Sequence, residues 1–249
     1  MTQHDLLGLL VGAGALMLGG VLKGATGAGA PVIVVPLLAL LYDVPFAVAM
    51  YAVPNVISNG WQVWHFRAHH ASVTLSRRLA ATGLLGTIAG TLILVSAPPE
   101  ALLLSVAAIV FLFIGFRLLK PDWGLSMPLA ERLSIPVGLV SGVLFGSTGL
   151  SAPVSLTFLN ALRLERPAFI VTVSWLFLAM GAVQFPMLIA TGVLTPTRLL
   201  LSTLAILPVF AGIPVGAWLV RFVSRQTFDR IILALLAALA IRIVAGVAL

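Results

Sequence analysis

Apolar segments joined by short polar loops follow one another along the whole chain. A helix needs ~20 apolar residues to cross the hydrocarbon core of a bilayer, and several of these segments are that long. Hydrophobic residues make up 61% of the 249 residues and charged residues 8%, and the mean hydropathy is +1.17. This composition excludes a water-soluble globular domain. We therefore expect an all-α polytopic membrane protein that forms one integrated membrane domain.

The chain also repeats itself with an offset of 122 residues. Residues 22–32, Leu-Lys-Gly-Ala-Thr-Gly-Ala-Gly-Ala-Pro-Val, align with residues 144–154, Leu-Phe-Gly-Ser-Thr-Gly-Leu-Ser-Ala-Pro-Val. The same offset pairs Gln62 with Gln184. After a slip of four residues, two glycines of the first half pair with two of the second: Gly86 and Gly90 with Gly212 and Gly216. An ordered series of matches indicates an internal duplication, and we predict a first repeat over 1–122 and a second, inverted repeat over 123–249.

Each repeat is predicted to be a broken or re-entrant helical hairpin followed by three transmembrane helices. The first repeat comprises residues 6–22 with 31–42, then 45–66, 75–96 and 99–119. The second comprises residues 133–146 with 152–163, then 167–191, 197–221 and 227–247. The run 6–22 lacks a preceding basic stretch and has a counterpart in mid-chain, so we expect it in the mature fold rather than as a signal peptide.

The basic residues predict the orientation of the two repeats. The loops 67–78, 117–132, 163–166 and 221–230 contain 11 of the 14 lysines and arginines. Cytoplasmic loops are the ones enriched in these residues, so we expect these four on the cytoplasmic side and both chain termini outside. Each repeat then makes an odd net number of crossings, which turns the second repeat upside down. Inverted repeats around one central site are typical of secondary transporters.

The predicted binding site lies at two glycine-rich breaks, residues 24–31 and 146–153. Non-helical backbone inside a membrane is tolerated only where it is buried in protein or lines a wet cavity. A proline near the end of each break suits the first turn of a new helix, whose N–H groups attract anions. The predicted substrate-binding residues here are Lys23, Gly24, Thr26, Gly27, Gly146, Ser147, Thr148, Gly149 and Ser151.

Both features of these breaks have a second interpretation. Glycines and other small residues also allow close helix packing without any ligand. A cation within the membrane is costly and therefore predicts a function, here the neutralisation of an anion by Lys23. Its side chain instead snorkels to the interface if the break lies shallow.

Polar side chains share one face of the helix after the first hairpin: Asn55, Ser58, Asn59 and Gln62. Their spacing of i, i+3, i+4 and i+7 directs them into the helical bundle. The equivalent helix of the second repeat keeps Gln184 and adds Thr172, Ser174 and Trp175. We predict that Trp175 and Gln184 join the first face in the site. Interhelical hydrogen bonding without a ligand is the alternative for each amide.

Several classes of function are disfavoured by what the sequence lacks. All seven acidic residues fall in loops or at helix ends, and there is no cysteine. Intramembrane proton and sodium sites use carboxylates, and hydrolases need an acid and a base. We therefore expect no cation carrier, no enzyme, no metal site and no cofactor. The expected partners are a small anion and the lipid bilayer and not nucleic acid, while a coupling proton or ion and a homodimer stay open.

The two broken segments, with Val-Val-Pro-Leu-Leu at residues 34–38 after the first, resemble those of the sulfite exporter family, TauE/SafE. The resemblance covers nearly the whole chain. It implies export of sulfite, sulfonates such as sulfoacetate, or other small organic anions across the bacterial inner membrane. The chain departs from the family pattern in having Gly27-Ala28-Gly29 in place of a glycine triplet and Phe158 at the position equivalent to Pro36.

The leading hypothesis is a secondary transporter, an exporter of a small anion such as sulfite, an organosulfonate or a related organic acid, working by alternating access. A flippase for an anionic lipid head group is the alternative, because re-entrant hairpins in inverted copies also suit that task. A membrane hydrolase or transferase is a third hypothesis, and it lacks the acid, base and nucleophile that the chemistry needs.

Overall fold

The computed structural model describes residues 3–119, 124–222 and 225–248, and in these residues every regular element is a helix. The first half contains α1 (Gln3–Thr26), α2 (Pro31–Leu41), α3 (Val44–His65), α4 (Val73–Ser96) and α5 (Pro99–Leu119). The second half contains α6 (Met127–Thr148), α7 (Ala152–Ala161), α8 (Arg166–Ala190), α9 (Pro196–Leu204), α10 (Ile206–Leu219) and α11 (Arg225–Ala248).

Every helix that the sequence predicted is present, and the all-α polytopic fold is confirmed. The largest differences in bounds are in the broken hairpins, where α1 runs on to Thr26 and α6 begins at Met127. Between α9 and α10, Ala205 keeps right-handed helical backbone angles, so the two form one continuous span. Six helices of the described part are long and apolar enough to cross a membrane.

Prolines and polar caps mark where the helices begin. Proline occupies the first turn of α2, α3, α6, α7, α8 and α9, where its missing N–H breaks no helical hydrogen bond. Asp43 accepts a hydrogen bond from the Phe46 amide at the start of α3, and Ser72 accepts one from the Leu75 amide at the start of α4. These local signals explain why the helix starts could be predicted closely.

Two helix pairs pack with their backbones almost in contact, α1 with α10 and α4 with α6. A Cβ atom on any of four glycines in each pair would collide with a backbone carbonyl group of the facing helix. These glycines are Gly20, Gly24, Gly212 and Gly216 in the first pair, and Gly86, Gly90, Gly142 and Gly146 in the second. Close helix packing, the second interpretation of the small residues in the breaks, therefore applies to Gly24 and Gly146.

The two pairs correspond to one another through the repeat. The first helix of each half packs on the fourth membrane segment of the other half, so α1 packs on α10 and α6 packs on α4. In addition, α3 packs on its own counterpart α8. At the centre of that crossing, the Asn55 side-chain amide donates to the carbonyl oxygen of Phe177 at 3.1 Å, a residue 122 positions away. This exchange is the packing expected around a pseudo-two-fold axis. The boundary at residues 122 and 123, which lie outside the described residues, and the inversion stay predictions.

Close packing of α4 on α6 generates a stability prediction. Gly142→Ala places a methyl group against the carbonyl oxygen of Gly83, so we expect a loss of about 1–3 kcal/mol through overpacking. The matched control is Gly115→Ala in α5, where an added Cβ meets nothing within 4 Å. Thermal unfolding of both purified variants in detergent checks the prediction. Equal melting temperatures for the two variants would contradict it.

Candidate functional site

The two breaks have the same backbone turn. Gly27 and Gly149 have φ angles of +86° and +76°, which only glycine adopts at little cost. The Gly27 amide donates to the Lys23 carbonyl oxygen, and the Gly149 amide donates to the Phe145 carbonyl oxygen, both at 2.7 Å. The helices α1 and α6 therefore each end at a glycine in the left-handed backbone conformation, as helix C-termini commonly do.

A threonine repeats the same contacts in each break. The hydroxyls of Thr26 and Thr148 each lie 2.8 Å from the carbonyl oxygen four residues earlier, Leu22 and Leu144. Each also accepts from the amide two residues later, at 3.4 Å and 3.3 Å. In this conformation both hydroxyls therefore hold the break together. Thr148 is fully buried, whereas Thr26 is exposed.

At the helix starts that follow the breaks, backbone amides also form local hydrogen bonds. The Val32 amide donates to the Gly29 carbonyl oxygen at 3.0 Å, and the Val154 and Ser155 amides donate to the Ser151 carbonyl oxygen at 3.1 Å and 2.9 Å. The Ser151 hydroxyl lies 3.2 Å from that of Ser155. Ser147 donates to the Val143 carbonyl oxygen at 2.8 Å. The amides expected to attract an anion are therefore paired within the protein in this closed conformation.

Lys23 lies in the protein interior and is 3% exposed. Its ammonium group donates to the side-chain oxygen of Asn59 at 2.7 Å. Asn59 in turn donates to the backbone and side-chain oxygens of Asn55, each at 2.8 Å. The interior position rules out a snorkelling side chain in this conformation. Asn59, a member of the polar face of α3, therefore binds the buried cation directly.

Gln62 continues this cluster toward the first break. Its side-chain nitrogen donates to the Gly27 carbonyl oxygen, and its side-chain oxygen accepts from the Ser174 hydroxyl, both at 3.0 Å. Gln184 contacts the broken helix of the second half, donating to the Gly146 carbonyl oxygen at 3.1 Å, three residues before the glycine that pairs with Gly27. Gln62 and Gln184, which are 122 residues apart, thus each donate a hydrogen bond to the end of the broken helix in their own half.

A small cavity lies beside Gln184 and is large enough for about one water molecule. Its polar wall includes Asn55 and Tyr51. The buried hydroxyls of Tyr51 and Ser58 lie together on the same face of α3, and neither hydrogen-bonds any other group of the described residues. The cavity wall therefore has a hydroxyl group at Tyr51 beside its apolar side chains.

Arg166 approaches the site from the surface. Its side chain is exposed, yet its guanidinium group donates to the Gly24 carbonyl oxygen at 3.2 Å. Gly24 directly follows Lys23 in α1. Thr26 is exposed at the same helix end. Arg166 therefore contacts the residue that follows Lys23 in the chain.

Among the residues proposed from the sequence, hydrogen bonds connect Lys23 with Asn59 and Asn59 with Asn55, Gln62 with Gly27, and Gln184 with Gly146. Trp175 is 39% exposed on the outside of the bundle, whereas its neighbour Ser174 is completely buried and contacts Gln62. Arg166 and Tyr51 were not proposed. Tyr51 was detectable, because it precedes Asn55 by four residues and therefore shares the polar face. Arg166 had no comparable signal, because its loop position suggested only orientation.

The chemistry of this interior is that of a cation among neutral hydrogen-bond donors and acceptors. Among the described residues Lys23 is the one buried charged side chain, and no buried carboxylate accompanies it. In the same part of the chain no three histidine, aspartate or glutamate side chains lie together to hold a metal. Such a site can bind an anion by charge and hydrogen bonding.

Comparison with known proteins agrees with this chemistry. Residues 11–243 match the family described as Sulfite exporter TauE/SafE. No curated protein and no solved structure matches the chain. Since the matched region is nearly the entire sequence, the chain belongs to the TauE/SafE sulfite exporter family, and its apolar helices are those of a multi-pass membrane transporter.

Proposed function

We propose that the protein exports a small anion by alternating access and binds it on Lys23, between the two breaks and the polar face of α3. The family implies transport of sulfite or another anion. Its members are transporters, in keeping with the expectation of a protein that is not an enzyme. The observation that supports this particular site is the interior ammonium group of Lys23, whose hydrogen bond goes to the neutral oxygen of Asn59.

A buried charge is costly unless an opposite charge accompanies it. The amide oxygen of Asn59 supplies a dipole but no negative charge. A bound anion about 4 Å from the ammonium group would contribute roughly 4 kcal/mol at an effective dielectric constant of 20. The described part of the protein therefore supplies no negative charge to offset the buried charge of Lys23. An anion that enters the interior would supply it.

Access to this site requires movement, because Lys23, Asn55 and Asn59 are all 3% exposed or less. The backbone contacts of α1 with α10 and of α4 with α6 join the two halves. Glycine-lined faces of this kind lack side-chain knobs, so small sliding movements along them are cheap. We propose that the halves move against one another along these two faces, in the manner of inverted repeats around a central site.

The entry side is proposed from Arg166. This exposed cation contacts the carbonyl group next to Lys23 and lies in a loop that the charge distribution predicts to be cytoplasmic. An anion attracted to Arg166 would be handed to Lys23 over a short distance. Cytoplasmic capture of this kind fits export across the bacterial inner membrane. It also favours a soluble anion over the alternative of an anionic lipid, since capture begins at an aqueous surface.

The first test removes the charge of Lys23. Lys23→Met keeps the length and apolar stem of the side chain, and we expect sulfite flux in proteoliposome counterflow to fall roughly 100-fold or more, because each 1.4 kcal/mol of lost attraction is a factor of ten. Arg242→Met, at an exposed position of α11, is the control and should retain flux. Undiminished flux in folded Lys23→Met would reject Lys23 as the anion site.

A second test places a negatively charged side chain of the protein next to Lys23. Asn59→Asp replaces the neutral partner of Lys23 with a carboxylate of the same shape, which forms an internal ion pair. We expect at least a tenfold loss of sulfite counterflow, because the internal carboxylate competes with the substrate. The carboxylate gains an ion pair with Lys23 but loses the two hydrogen bonds that Asn59 donates to Asn55, so the melting temperature is measured to show that the variant folds. Asn160→Asp, exposed on α7, is the matched control. A lysine with only a structural role would tolerate Asn59→Asp, so normal flux would count against the proposal.

A further inference from the structure

The cavity beside Gln184 is the second-half counterpart of the Lys23 cluster. The offset of 122 residues pairs Lys23 with Phe145, Asn59 with Gly181, Gln62 with Gln184 and Ser174 with Ala52. The four residues named first in these pairs form two hydrogen-bonded pairs, Lys23 with Asn59 and Gln62 with Ser174. The four named second all line the cavity. The interior therefore contains two half-sites, which we call the cationic half-site (Lys23, Asn59, Gln62 and Ser174) and the neutral half-site (Phe145, Gly181, Gln184 and Ala52).

The two half-sites differ in both charge and bulk. In the neutral half-site a phenylalanine replaces the lysine, a glycine replaces the asparagine and an alanine replaces the serine. These exchanges remove the cation and two polar groups and leave space for about one water molecule. Val35, Val48 and Phe185 add apolar walls. The neutral half-site thus suits a small uncharged group.

Asn55 connects the two half-sites. It lines the cavity, and it accepts a hydrogen bond from Asn59, whose own side-chain oxygen accepts from Lys23. A ligand whose charged end contacts the ammonium group of Lys23 would reach the neutral half-site if it extended along Asn55. One ligand of a few atoms would span both.

Charge counting limits what that ligand carries. A second negative charge would enter the neutral half-site, where the described lining residues include no cation. Arg166 does not substitute, because it is exposed to solvent and its contact is with the Gly24 carbonyl group at the end of α1, on the cationic side. A buried charge without a partner is strongly disfavoured.

We propose that the transporter selects monoanions over dianions, with the single charged group on Lys23 and an uncharged tail of about methyl size in the neutral half-site. The substrate class is then a small alkanesulfonate or monocarboxylate. This inference rests on the proposed function of the Lys23 site. It adds that Phe145 sets the charge limit as a specificity-determining residue.

The experiment compares two sulfonates that have two carbon atoms each, ethanesulfonate with one negative charge and sulfoacetate with two. In proteoliposome counterflow at pH 7 we expect ethanesulfonate flux to exceed sulfoacetate flux at least tenfold. Phe145→Lys provides a second cation and should move that ratio toward sulfoacetate by at least tenfold. Phe145→Met, of similar length but uncharged, should keep the preference for ethanesulfonate.

The possible outcomes distinguish a failure of the charge limit from a failure of the proposed function. Equal flux of both sulfonates in the wild-type protein overturns the charge limit while leaving the proposed function intact. A folded Phe145→Lys variant with an unchanged ratio overturns the assignment to Phe145. If that variant does not fold, the wild-type ratio and competition of each sulfonate against sulfite decide the question. Transport of none of these anions would refute the proposed function, and the charge limit with it.

Discussion

Two helices, α1 and α6, end inside the protein, and their last carbonyl groups need hydrogen-bond donors where lipid provides none. Gln62 provides one for the Gly27 carbonyl group, and Gln184 provides one for the Gly146 carbonyl group. The threonine hydroxyls of the breaks contact the Leu22 and Leu144 carbonyl groups. This requirement explains why α3 and α8, which carry the glutamines, are the central helices. It also explains why α3 has a polar face although its surroundings are apolar. The site is therefore built on groups that the broken backbone already needs.

The cation is an addition to this shared framework and breaks its symmetry. Where one half has Lys23 the other has Phe145, and the surrounding partners change with it. A duplicated fold needs two stable breaks, and both halves retain those contacts. It does not need two charges. The halves have thus diverged in sequence at positions whose side chains do not support the backbone of the breaks.

The close helix pairs impose a second constraint. Carbonyl groups of one helix contact glycines of the other in α1 with α10 and in α4 with α6, so even one methyl group has no room. These contacts hold the two halves in register. Stability consequently depends on these glycines, whereas glycines that face open space, such as Gly115, make no such contact.

Sequence patterns alone determined the helices, their breaks, the duplication and the polar face of α3. These follow from local causes: apolar length, the backbone freedom of Gly27 and Gly149, proline at helix starts and the 3.6-residue period. Tertiary structure decided which polar groups meet. Ser174 points inward and Trp175 outward because α8 packs on α3 with one particular rotation. Arg166 reaches the end of α1, and the cavity beside Gln184 exists, because helices distant in sequence approach at glycines. Such contacts depend on how whole helices cross, which no local pattern specifies.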